Sequence, residues 1–167
     1  GKTRSMIADA CYIACNKIYD ENFGWIKNGI TQPTLYVTTE NNSQAIVKHF
    51  GNAISLVASG ASTQNVESEA VNMNADFSGG STIEVKGSTT MLQAKGSGTS
   101  RLTAEETVAD NASVTQTGSS KCHVNVTGNL LVNLSGGAML TFKDKPAIEV
   151  ERILNSTLIK HDDPRRK

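Results

Sequence analysis

The strongest constraint in this sequence is a corner that keeps returning. Ser-Gly-x-Ser stands at 59–62, 78–81 and 97–100, Thr-Gly-Ser-Ser at 117–120 and Ser-Gly-Gly-Ala at 135–138. The anchors Ser59, Ser78, Ser97, Thr117, Ser135 and, more weakly, Ile153 lie 19, 19, 20, 18 and 18 residues apart. Five and three residues before them stand Ile54 and Leu56, Met73 and Ala75, Leu92 and Ala94, Ala112 and Val114, Leu130 and Val132, and Ile148 and Val150. Five and seven residues after them stand Gln64 and Val66, Ile83 and Val85, Leu102 and Ala104, Cys122 and Val124, Leu140 and Phe142, and Leu158 and Lys160. Of these 24 positions 22 are apolar, and Gln64 and Lys160 fall in the outermost repeats.

A fixed period of this length marks a solenoid in which each repeat is one coil stacked on the last. The alternation inside each pair is that of a strand with one face buried. Each coil then carries two short strands joined at the corner, with a third short side to close it. Like strands pair in parallel, about 4.8 Å apart. The expected fold is all-β: a right-handed parallel β-helix of about six coils of 18–20 residues. At the corner, Gly60, Gly79, Gly98, Gly118 and Gly136 supply positive φ without steric strain. Ser62, Ser81, Ser100 and Ser120 are placed to bond backbone groups that the bend leaves unpaired.

Two enzymatic solenoids are tested by spacing. A left-handed hexapeptide helix needs an aliphatic residue every six positions, and the core columns here alternate between intervals of roughly ten and of eight or nine. Pectate-lyase-like enzymes stack acidic and basic residues on one outer face, whereas Glu67, Glu84 and Glu105 fall at different offsets from the anchors. No catalytic residue, metal-ligand set or cofactor is therefore assigned. With 16 basic and 16 acidic residues, net charge is zero, which gives no electrostatic reason to expect nucleic acid. No apolar run is long enough to span a bilayer.

Residues 1–41 follow another pattern. Met6, Ile7, Ala10, Cys11, Ala14, Cys15 and Ile18 recur at three- and four-residue spacing, which predicts an amphipathic helix over about 4–19. A loop and the strand "TLYVTTE" follow. The opening "GKT", with a strand ending in Glu40, resembles part of a RecA-like replicative helicase core. That resemblance would make Lys2 and Thr3 the end of a phosphate-binding loop and Glu40 a carboxylate at a strand tip. The glycine-rich residues whose N–H groups cradle phosphate are absent before Lys2, as is a Walker B strand. The alternative reading of the whole is thus an ATPase fragment fused to a structural solenoid. On the leading reading the helix and strand cap the first coil, which would otherwise expose strand edges.

The recurring corner with its flanking apolar pairs, from about Asn42 to Asp162, resembles the head GIN domain family of auto-transporter adhesins, widespread in Bacteroidetes. The resemblance implies a β-helical domain of cell-envelope or secreted proteins, with an adhesin-like or ligand-binding role and no catalytic residues to carry over. A glycan or a surface protein is the partner it suggests, and the helix ends offer a route to oligomers. The expected organisation is 1–41 as front segment, 42–162 as β-helix and 163–167 as charged tail.

Other residues invite chemistry. Cys122 and His123 are adjacent, but alternation points Cys122 inward and His123 to solvent. Cys11 and Cys15 share a helical face and read as small buried hydrophobes. His49 and His161 sit near opposite ends of the array without identifiable partners. The segment 105–111 makes the longest coil, so a bulged loop is expected there, read as tolerated insertion.

Overall fold

A computed structural model describes residues 17–20, 24–27 and 34–161. Two short strands, β1 (Lys17–Asp20) and β2 (Gly24–Lys27), pair antiparallel in the register Ile18↔Ile26 and Tyr19↔Trp25. The helix expected over 4–19 lies mostly outside the described residues, and where it enters them, at Lys17–Tyr19, the chain is strand instead. Ile, Tyr and Trp favour a pleated backbone, and a three-residue connection lets these segments pair as a hairpin. Among the described residues no helix occurs.

The rest forms one parallel ladder. β3 (Thr34–Thr39) lies beside β4 (Gln44–Ala58), followed by β5 (Thr63–Phe77), β6 (Thr82–Gly96), β7 (Arg101–Gln116) and β8 (Lys121–Ser135). β9 (Met139–Lys143) and β10 (Ala147–Leu154) both pair with β8, and β11 (Thr157–Lys160) pairs with β9. This is the expected parallel β-solenoid, with about seven turns rather than six. The added coil is at the front. Glu40, Asn41, Asn42 and Ser43 form a corner 19 residues before Ser59, with Asn41 at φ 55° where later coils have glycine.

The expected short strand that leaves one corner and the one that enters the next are a single continuous strand of 15 or 16 residues that bends in the middle. The bend falls where two successive side chains point outward, as at Val71 and Asn72 between buried Ala70 and Met73. Pairing resumes immediately beyond it: Ala70↔Thr89 is followed by Asn72↔Met91. The glycine corners carry the ladder across as well. Gly80 N–H donates to Gly60 C=O at 2.8 Å, Thr99 N–H to Gly79 C=O at 2.8 Å and Ser119 N–H to Gly98 C=O at 2.8 Å. The second serine column caps carbonyls of the coil before it, Ser81 Oγ on Ala58 C=O and Ser100 Oγ on Phe77 C=O, both at 3.0 Å.

Inside, all the expected core columns are buried from Ile54 through Phe142. Neighbouring coils compensate in size: the ring of buried Phe77 occupies the place where a Cβ on Gly96 would stand, 2.5 Å from it. Gln64, the exception in the pattern, is fully buried. Its amide donates to Val57 C=O at 2.8 Å and Thr39 Oγ1 at 3.0 Å, so its donors are satisfied inside the stack. In the last coil Ile148 and Val150 are exposed, because nothing among the described residues stacks beyond them. A one-residue irregularity at Glu151 moves the anchor of that coil from Ile153 to Leu154, which pairs with Ser135, and puts Asn155 at the positive-φ position.

Candidate functional site on the outer faces of the solenoid

The mid-strand bend divides the outside into two faces of different chemistry. The face formed by the later half of each strand carries three parallel columns. Ladder register stacks Ser55, Asn74, Gln93 and Ser113 in the central one. Asn72, Met91, Asn111 and Asn129 run along one side, and Asp76, Lys95, Thr115 and Asn133 along the other. Asn129 Nδ2 donates to Asn111 Oδ1 at 3.0 Å, so at this point the column is itself hydrogen-bonded from coil to coil. Half of these twelve side chains are exposed and the other half partly so, and coils about 4.8 Å apart present them as a lattice of amides and hydroxyls interrupted by Met91 and by the Asp76 and Lys95 charges. At the bend bordering this face lies an open groove of about 340 Å³, with Glu69, Asp110, Ser88 and Thr90 beside the exposed side chains of Val71 and Val108.

The opposite face is charged. Lys48, Glu67, Lys86 and Glu106 follow one another in register, with Lys48 Nζ 3.2 Å from Glu67 Oε2 and Lys86 Nζ 3.2 Å from Glu106 Oε2. These pairs are more than half exposed and contribute little to stability. Glu105 is different. Strand β7 holds an extra residue at this point, which pushes Glu105 out of register toward the following coils. Its two carboxylate oxygens lie 3.2 Å from His123 Nδ1 and 3.2 Å from Lys143 Nζ. Burial works to raise the Glu105 carboxyl, but the Lys143 bond and charge, with His123 and His161, outweigh it and hold the group below its ordinary value.

Sequence reasoning placed Cys122 inward, and it is buried; burial pushes its thiol far above the ordinary range, which suits neither nucleophile nor ligand. His123 does point outward but is half-buried against Glu105 rather than freely solvated. The expected loop over 105–111 stays within β7 as a bulge. Glu40 is an exposed corner residue whose carbonyl accepts from Ser43 Oγ at 2.6 Å and whose N–H donates to that oxygen at 2.9 Å. Lys2, Thr3, Cys11, Cys15 and the tail 163–167 lie outside the described residues, so Glu40 is brought into no arrangement with Lys2 and Thr3.

His49, unpartnered in the sequence reading, is fully buried with Nδ1 3.0 Å from Ser68 Oγ, and burial lowers its pKa. Its place one coil above Ser68, at an interval of 19, was the available signal. The Glu105 cluster had no such signal, since the extra residue removes Glu105 from the repeating columns.

Among the described residues no cluster of His, Cys, Asp and Glu could hold a metal, and no helix is long and apolar enough to cross a membrane. No match was found among curated proteins or among solved structures. A family model does match, over residues 19–146, from within β1 through the glycine corners. The match spans most of the chain, which therefore belongs to the family described as "Putative auto-transporter adhesin, head GIN domain".

Proposed function

We propose that the domain binds an extended, uncharged polar ligand, a glycan being the chemical class that fits, along the amide and hydroxyl face. Family and fold suit a non-catalytic domain of the cell envelope or of secreted proteins. The observation that carries the proposal is the stack of Ser55, Asn74, Gln93 and Ser113, flanked by Asn72, Asn111 and Asn129. Each amide offers two donors and an acceptor, the complement of neighbouring sugar hydroxyls that both donate and accept. Charge on this face is balanced where Asp76 stands beside Lys95, so it holds no concentrated field for a phosphate or a carboxylate. The rigid ladder beneath keeps these side chains at fixed spacing, so little backbone ordering accompanies binding.

A glycan array followed by titration tests this. Replacing Asn74 and Gln93 together by alanine is expected to weaken binding by about tenfold or more, as befits two or more lost hydrogen bonds, without lowering Tm. Glu67→Ala on the opposite face is expected to change nothing. Absence of binding across the array at high concentration, or binding indifferent to the Asn74 and Gln93 changes, would reject the proposal.

A further inference from the structure

The last coil ends the stack without a polar cover. In β10 all eight residues are exposed, whereas strands β4 to β8 alternate buried and exposed. The partners of β10 in β8 show which side chains continue the core. Ile148 sits on Leu130, Val150 on Val132 and Ile153 on Leu134, and all three partners are fully buried. Yet Ile148, Val150, Ile153 and Leu154 are 41%, 50%, 40% and 47% exposed. A terminal coil that faced water would be expected to place polar groups in these columns. The other edge of β10 carries no strand among the described residues, which leaves its outward N–H and C=O groups available.

Strand β10 is self-complementary. Laid antiparallel against a second β10 about a two-fold axis between Val150 and Glu151, it places Glu149 opposite Arg152 and Ile148 opposite Ile153. At these two positions the faces agree, because the irregularity at Glu151 shifts the alternation by one, while Val150 and Glu151 straddle the axis. Glu149 and Arg152 pair with Leu131 and Asn133 on the outer face, while Ile148 and Ile153 lie on the core side. The axis generates each contact twice: two Glu–Arg pairs outside and two Ile–Ile pairs in a core made continuous between copies.

We propose that two copies of this chain join end to end, β10 against β10 in antiparallel register, to form a two-fold dimer. Head-to-tail stacking is the competing geometry. It would bring Tyr36 of the next copy over Glu149, continuing the column in which these residues lie, and offers no such charge match. It would also not close, and would give filaments.

Sedimentation velocity and light scattering on the full chain, over a wide concentration range, decide the matter. A concentration-dependent dimer is expected. Glu149→Arg and Arg152→Glu should each raise its dissociation constant by about tenfold or more, since two attractive pairs become repulsive. The double exchange, Glu149→Arg with Arg152→Glu, should restore the dimer, because each new arginine again faces a glutamate. Ile148→Lys, at an exposed position, should give a folded monomer with unchanged circular dichroism. A wild-type monomer at all concentrations, open-ended filaments, or a dimer indifferent to the single reversals would each overturn the proposal.

Discussion

Gly98 sits at φ 70°, and a Cβ built on it would stand 2.7 Å from the carbonyl oxygen of Gly79 in the coil before. Two separate obstacles therefore exclude a side chain: the left-handed backbone region and the close approach of coil on coil. Gly98→Ala is expected to destabilise the domain by about 1–2 kcal/mol from the backbone region alone, with more from the contact. Gly80 provides the control, for a Cβ on it would meet nothing nearer than 3.7 Å and its φ is not positive. Gly80→Ala should leave the urea midpoint nearly unchanged. A second residue-scale expectation concerns His49. Burial holds its imidazole below the ordinary value of 6.5, so the unfolded chain takes up a proton that the folded chain refuses. The resulting stability is complete above that value and is lost as pH falls from it toward the folded pKa. His49→Asn removes the titration while keeping a polar group toward Ser68. The difference in unfolding free energy between about pH 7.5 and about pH 5.5 should then shrink relative to wild type. An unchanged difference would mean that the imidazole is not its source.

Among the elements, the strands whose columns repeat faithfully were legible in the sequence, and those displaced by a single residue were not. Ile54, Met73, Leu92, Ala112 and Leu130 could be aligned by counting, because a period near 19 stacks one above the next. The first corner escaped notice because Glu40 and Asn41 stand where later coils have Ser and Gly, although Asn tolerates the same left-handed geometry. At the other end one extra residue, Glu151, shifted the anchor. In the front hairpin, Ile18 fits a helical spacing when counted from Met6 and Ile7, yet local pairing with Ile26 decides in favour of strand. The amide face was legible as composition but not as a face, since its gathering on one side depends on where each strand bends. Position within the stack also predicts the response to truncation. Leu130 is enclosed by coils on both sides, and Leu130→Ala is expected to cost about 2–5 kcal/mol in chemical denaturation. Val150→Ala, at the half-exposed end, should cost well under half as much.

For the molecule as a whole, the charges are dispersed rather than gathered. Lys48, Glu67, Lys86 and Glu106 alternate in sign along the axis of one face, so their fields cancel within a few ångströms, and recognition must rest on contact rather than on attraction from afar. The C-terminal end of the stack differs from the middle as a cut crystal face differs from its bulk, exposing aliphatic side chains that inner coils keep hidden. The corners that bond directly to their neighbours have a further effect. Because Gly60, Gly79, Gly98 and Gly118 each meet the next through one repeated contact, the corners do not distinguish one coil from another. Splicing in a second copy of 78–96 would meet the same corner on either side and lengthen the rod by one inter-strand step, with its cross-section unaltered. The reach of such a protein can therefore be set by duplication, one rung at a time, without redesigning anything it already presents.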